Sequence, residues 1–246
     1  MKKIAFFLIL LYSVCSSAQN DQPLTRILFI FDASQSMLEQ WDTDKKINIA
    51  RKMLIRMLDS LEHINNIQLA LRVYGHQYPV PPQRCDDTKL EVPFAADNAP
   101  KVRQKLRYIQ PRGTTPIAHT LAKCSGDFPE CANCRNIIIL ITDGIEECGG
   151  DPCEVSRELQ QKGIILKPFV IGVGLDLEFK KTFECVGHFY NARNETEFRN
   201  VLNVVITQVL NTTSLQVNLL DQQGNPTETD VNMTFFDITS GRMIYN

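Results

Sequence analysis

The chain has 246 residues, 43% of them apolar and 22% charged, with a formal net charge of −2. That is enough for one α/β domain with a packed core and a smaller extra piece. A balance this near neutral excludes a basic nucleic-acid footprint, so no nucleic-acid partner is expected, and membrane association only indirectly.

The first 18 residues have the layout of a secretory signal. Lys2 and Lys3 precede an apolar run from Ile4 to Val14, and Ser16-Ser17-Ala18 offers the small residues of a cleavage site. The run is shorter than the ~20 residues a membrane-spanning helix needs, and Tyr12-Ser13-Val14 ahead of Cys15 is a poor lipoprotein lead-in. The sequence therefore predicts a signal peptide over residues 1–18 and an exported protein, periplasmic, cell-surface or extracellular. Cleavage there removes two lysines and no acids, taking the net charge from −2 to −4. Seven cysteines remain: Cys85, Cys124, Cys131, Cys134, Cys148, Cys153 and Cys185. In an oxidising compartment they are disulfide candidates first, and an odd number leaves at least one unpaired within the chain.

From Arg26 onward strand and helix patterns alternate. Ile27 to Phe31 is a continuous apolar run, as in a strand buried on both faces. Ile47, Ala50, Leu54, Met57 and Leu61 fall on one helix face. Leu69 to Tyr74 predicts a second strand and Leu90-Glu91-Val92 a short third. Helices are expected over Lys101 to Tyr108 and Ile117 to Cys124. Ile137 to Ile141 is the most apolar strand. A helix from Glu154 to Lys162, stopped by Gly163, precedes a strand from Ile164 to Val173. Glu178 to Cys185 reads as helical, and Phe198, Val201, Leu202, Val205, Ile206 and Val209 mark a closing helix. This alternation predicts an α/β fold with a doubly wound, mostly parallel six-strand sheet over residues 26–210. After Asn211 the period changes to two. Leu215, Val217 and Leu219 alternate with polar residues, a turn follows at residues 222–226, then come Val231 to Ile238 and Met243-Ile244-Tyr245. Residues 214–246 thus predict antiparallel strands, either part of a β-sandwich domain or a hairpin.

Three strand or helix boundaries carry oxygen donors. The first strand runs into Asp32-Ala33-Ser34-Gln35-Ser36, the most apolar strand into Thr142-Asp143-Gly144, and Arg112-Gly113-Thr114-Thr115-Pro116 opens a helix between them. Hard divalent cations take such carboxylate and hydroxyl oxygens. In an open α/β sheet, ligands collect beyond the carboxyl ends of strands where the strand order reverses. Taken singly, Asp-x-Ser-x-Ser can be a helix cap and Asp-Gly a turn; the three together point to one metal site.

Asp32-x-Ser34-x-Ser36, the Gly113-Thr114-Thr115-Pro116 loop and Thr142-Asp143-Gly144 resemble the metal-ion-dependent adhesion site of von Willebrand factor A domains. The resemblance extends from about Arg26 to Leu210. It is strongest to exported bacterial members, through Tyr74-Gly75-His76 ahead of Cys85 and the acidic, cysteine-bracketed segment Glu146 to Cys153. It implies a Rossmann-like fold, with Ser34, Ser36 and Thr115 as hydroxyl ligands and Asp32 and Asp143 acting directly or through water. It also implies Mg2+, with Mn2+ or Ca2+ as substitutes, and a protein partner whose acidic side chain completes the coordination. No small-molecule substrate and no catalytic residue are expected.

Rival chemistries lack their residues. A haloacid-dehalogenase-type phosphotransferase needs a second carboxylate where Ser34 stands. There is no Gly-x-x-x-x-Gly-Lys and no Gly-x-Ser-x-Gly, and Gly172-Val173-Gly174 lacks a third glycine at Leu177. His63 reads as surface-helical and His188 as near a strand start; His76 and His119 lie near the metal rim but read as structural. Cys124, Cys131 and Cys134 offer three thiolates for zinc without a matching second pair, so local disulfides are preferred. Cys148–Cys153 is the expected bridge. Glu146-Glu147 stands open to two readings, a solvated loop or an acidic neighbour of the metal.

Overall fold

The computed structural model describes residues 23–161, 169–173, 183, 185–192, 194–210, 235–236 and 243–245. The signal sequence, most of the helix expected over 178–185, the strand at 215–219 and the turn at 222–226 lie outside them. The chain divides into two units, Met1–Leu210 and Asn211–Asn246.

In the larger unit, β1 (Leu24–Asp32) is a central strand with its apolar run fully buried. It pairs in parallel with β4 (Ile67–Tyr74) on one side and β6 (Cys134–Thr142) on the other. A small hairpin, β2 (Gln40–Trp41) with β3 (Asp44–Lys45), follows β1. Beyond β4 lies β5 (Thr88–Ala95), antiparallel at the edge, and beyond β6 lie β7 (Phe169–Val173) and β8 (His188–Ala192), both parallel. The order β5-β4-β1-β6-β7-β8 confirms the doubly wound, mostly parallel sheet of six strands. The short strand expected at Leu90–Val92 is longer than its apolar core, because Lys89 and Glu91 sit on an edge where polar side chains are tolerated.

Alternation along the strands divides the core. Ile27, Phe29 and Phe31, with Ile137, Ile139 and Ile141, pack against α1 (Lys46–Leu61), α2 (Ala99–Tyr108) and α5 (Glu195–Leu210). Leu28, Ile30, Ile138 and Leu140 face the other way, against α3 (Ile117–Cys124) and α4 (Pro152–Gln161). Both faces of the sheet are covered, which explains why β1 and β6 read as unbroken apolar runs. In the smaller unit β9 (Phe235–Phe236) pairs antiparallel with β10 (Met243–Tyr245). No described helix is long and apolar enough to cross a membrane.

The topology decides where function can sit. From β1 the chain first builds outward through β4 and β5, then returns to place β6 on the other flank of β1. The carboxyl ends of β1 and β6 therefore border the crevice where the winding reverses. Phe29 is fully buried, so Phe29→Ala should cost about 3–5 kcal/mol in a denaturant titration. Tyr108→Ala, at a side chain 74% exposed, should stay within about 0.5 kcal/mol of wild type.

Candidate metal centre

Asp32 ends β1 and Asp143 directly follows β6, so strand pairing alone brings them together. Asp32 is wholly buried. Its Oδ1 accepts the Ser34 backbone N–H at 2.7 Å, and its Oδ2 accepts the Thr142 hydroxyl at 2.7 Å. Tyr74 in turn donates its phenol to Thr142 Oγ1 at 3.0 Å. Ser34 Oγ and Ser36 Oγ are 3.0 Å apart, and Ser36 Oγ donates to Asp143 Oδ1 at 2.8 Å. Gly144 lies between the remaining donors. A Cβ there would stand 3.7 Å from Thr115 Oγ1 and 4.0 Å from Ser36 Oγ. All five residues picked from the sequence thus converge at one sheet edge. The two threonines of the loop are distinguished: Thr114 Oγ1 accepts the Arg84 backbone N–H at 3.2 Å, while Thr115 Oγ1 faces Gly144, which follows Asp143.

The electrostatics are unbalanced. Burial pushes the Asp32 carboxyl up against the hydrogen bonds from Ser34, Thr142 and Tyr74. Burial and the neighbouring Asp32 charge push Asp143 up, against the opposing pull of Lys46 and Ser36. Lys46, at the start of α1, places its Nζ 2.9 Å from Asp143 Oδ2 and 2.7 Å from Glu39 Oε2. Yet Asp143 Oδ2, fully buried, has no well-formed hydrogen bond, so the lysine contact is an ion pair of poor angle. Lys46 touches Asp143 but not Asp32, so two buried carboxylates share the site with one lysine, and burying such charge is expensive. Hydroxyl oxygens and carboxylates converging at one crevice are the chemistry of a hard-cation site, so the residues present fit a divalent metal.

The loops around this set are tied backbone to backbone. Gln35 N–H donates to Gly113 O at 2.9 Å, Gly113 N–H to Gly75 O at 2.8 Å, and Ala33 N–H to Tyr74 O at 3.0 Å. Gly75 has φ +69°, and a Cβ on it would come within 2.7 Å of Thr114 O and 2.8 Å of Ser34 N. Only glycine meets both demands. Asp87, wholly buried, accepts the backbone N–H groups of Gln77 and Tyr78 and the Gln77 amide, folding the loop that leads away from β4. An open cavity of about 280 Å³ lies beside the serines, with Val80, Gln83, Gly113, Thr114 and Glu147 among its walls.

Several expectations are corrected. Cys148 pairs with Cys85, not with Cys153, which pairs with Cys185. The first bridge joins two loops 63 positions apart that both flank the centre, a proximity that local spacing does not encode. Cys131–Cys134 form the third bridge, which removes two of the three thiolates a zinc site would need. Among the described residues Cys124 is the free cysteine, buried, its thiol pushed up by burial and bonded to Thr120 O. Glu147 is exposed and lines the cavity beside the serines, so it is both solvated and an acidic neighbour of the centre, while Glu146 is half-buried. Glu146 accepts the N–H groups of Ala118 and Cys148, and Glu147 accepts that of Thr115, so both fasten the loop to the start of α3. His76 lies away from the centre's oxygens, its Nε2 2.9 Å from Glu91 of β5. Burial raises the Glu91 carboxyl, but Lys105, His76 and Lys89 outweigh it and bring it down to about 2.

Peptide mapping after thiol blocking should recover Cys85–Cys148, Cys131–Cys134 and Cys153–Cys185 with Cys124 alkylated only on unfolding. A Cys148–Cys153 peptide would contradict this loop architecture. Gly75→Ala should lower stability by roughly 1–3 kcal/mol, since strain and overlap both fall on the Ser34 backbone.

Comparison with known proteins places this geometry in a family. Residues 27–204 match the model of the von Willebrand factor type A domain. The uncharacterized protein YwmD of Bacillus subtilis is 28% identical over 193 residues, covering 74% of this chain and 85% of its own. Among solved structures, the conserved hypothetical protein BatB of Bacteroides thetaiotaomicron superposes with a TM-score of 0.60 at 18% identity, over 75% of this chain and 98% of that one. The PilB minor pilin of Streptococcus sanguinis gives 0.62 at 14% identity, over 77% and 62%. These low identities speak to fold alone; the match of the family model over most of the chain shows that it belongs to the von Willebrand factor type A domain family.

Proposed function

We propose that this chain is an exported, non-catalytic binding protein that holds one divalent ion, Mg2+ with Mn2+ or Ca2+ as substitutes, and uses it to take a carboxylate from a protein partner. Ser34, Ser36 and Thr115 would supply hydroxyl oxygens, with Asp32 and Asp143 as the carboxylates, directly or through water. The observation that carries this reading is the convergence of two buried carboxylates with serine and threonine hydroxyls at the carboxyl ends of β1 and β6. The bound ion would act as a Lewis acid towards the incoming carboxylate.

The chain's own residues prepare that encounter. Asp32 holds the Ser34 amide and the Thr142 hydroxyl, which orients the loop bearing both serines. Lys46 occupies Asp143 Oδ2, so the donor set brings less negative charge than two free carboxylates would. That weakens the hold on the ion and leaves more positive charge for a ligand. A binding role rather than a catalytic one is supported by Ser34 standing where a phosphotransferase needs its second acid, and by His76 being committed to Glu91. Export over a signal peptide of residues 1–18 is supported by three disulfides, which persist in oxidising compartments. One structural relative is a minor pilin of Streptococcus sanguinis.

Calorimetric titration of the full chain with Mg2+ should show one site, lost in Asp143→Asn and Ser36→Ala with the circular dichroism unchanged. Partner retention on beads should fall with the same variants and return when a chelator is removed. Hydrolytic activity that disappears in these variants, or retention indifferent to chelator, would contradict the reading. Lys46→Met should bind Mg2+ at least about tenfold more tightly, because removing a unit charge a few ångströms from a divalent ion is worth several kcal/mol at an effective dielectric of ~20.

A further inference from the structure

Five large apolar side chains are prominently exposed among the described residues: Leu38, Tyr78, Tyr108, Ile145 and Val204. Three of them, Leu38, Tyr78 and Ile145, each 39–40% exposed, stand on the loops that build the metal centre. Leu38 ends the short 3-10 turn Gln35–Leu38, two residues past Ser36. Ile145 is two residues past Asp143. The Tyr78 carbonyl lies 2.8 Å from where a Cβ on Gly113 would stand, and Gly113 is bonded to the Ser34–Gln35 loop. An exposed leucine alone says nothing, but a ring of apolar groups around a polar centre is the anatomy of a binding hot spot.

We propose that Leu38, Tyr78 and Ile145 form an apolar rim that reads the residues flanking the partner's metal-binding acid. The partner offers an extended segment in which an Asp or Glu is bracketed by Leu-, Ile- or Phe-type side chains. This rests on the carboxylate-binding reading above. The cavity beside the serines, walled largely by hydroxyls and amides, suits the acid; Leu38 and Ile145 lie outside its lining and suit the flanks. Most charges next to the centre are committed, Arg112 beside Gly113 being an exposed cation. Lys46 is held by Glu39 and Asp143, Arg84 pairs with Asp86 and stacks over the Tyr78 ring at 4.3 Å, and Glu146 and Glu147 point at backbone amides. Arg112 would attract any acidic segment alike, so selection among such segments falls to apolar contact. Covering the rim also expels water from the ion's surroundings, which strengthens the carboxylate contact at the middle. A lipid surface fits less well, since the three side chains sit on separate loops around a site built for a single anion.

The test uses the full chain and an array of short peptides, each with a central Asp and flanks of Leu or Phe, Ser, or Lys, probed in Mg2+ and in chelator. Apolar-flanked peptides should bind about tenfold more tightly than Ser-flanked ones, and only with the metal. The double variant Leu38→Ser, Ile145→Ser should erase that difference, and Tyr108→Ser, on α2, should leave it intact. Metal-dependent binding indifferent to the flanks overturns the rim and leaves the carboxylate reading standing. No metal-dependent peptide binding, with Mn2+ titration of the same sample showing a loaded site, overturns both. Vesicles of phosphatidylcholine and phosphatidylserine form a third arm; binding there that the double variant abolishes would assign the rim to lipid and overturn the peptide proposal.

Discussion

Two carboxylates buried side by side at the tips of paired parallel strands constrain everything else around the crevice. Asp32 and Asp143 are brought together by the β1–β6 register, not by any local turn, and the sheet shields both from water. Each is pushed up by burial, and Asp143 also by the charge of its neighbour. Hydroxyls from Ser36 and Thr142, the Ser34 amide and the Lys46 ammonium recover part of the cost. Buried carboxylates shifted in this way tend to collect where function does.

The surrounding loops are rigid for a related reason. Oxygen donors must stand within a fraction of an ångström of their working positions, and loops reach that precision only when other groups lock them. Here Gly75 allows the Tyr74–Gln77 segment to press against Ser34 and Thr114, and Asp87 closes the loop that follows. Glu146 and Glu147 cap backbone amides at the start of α3, and Cys85–Cys148 ties this acidic loop to the Asp87 loop. Stability and site geometry are therefore coupled on one side of the sheet, while the opposite helices α1, α2 and α5 supply most of the apolar core.

The fold was legible because its signals are periodic. Unbroken apolar runs at Ile27–Phe31 and Ile137–Ile141 require burial on both faces, and helix-spaced residues such as Ile47, Ala50 and Leu54 require one, which together leave few alternatives to a doubly wound sheet. The candidate ligands were legible because each sits at an element boundary with a distinctive neighbour: a strand end, a Gly-Thr-Thr-Pro turn, an Asp-Gly step. What escaped depends on tertiary approach. Lys46 looks like any basic residue at a helix start, and only the packing of α1 beneath the crevice sets it against Asp143. Asp87 carries no periodic mark, and its burial follows from backbone amides donated by residues ten positions earlier. Spacing favoured Cys148–Cys153, yet disulfides follow the distance between Cα atoms in space, 5.6 Å for Cys85 and Cys148. The acidic pair Glu146-Glu147 suggested solvent or metal because sequence alone does not show which amides lie within reach.

Whether one ion sits among these oxygens decides between a metal-dependent binding site and a purely structural cluster. Crystals of the full chain grown in Mn2+, measured for anomalous scattering, address that directly. We expect a single strong peak bounded by Ser34, Ser36, Thr115 and Asp143, with Lys46 still on the far oxygen of Asp143. An empty crevice at saturating Mn2+, or a peak seated elsewhere on the molecule, would contradict the metal-dependent reading.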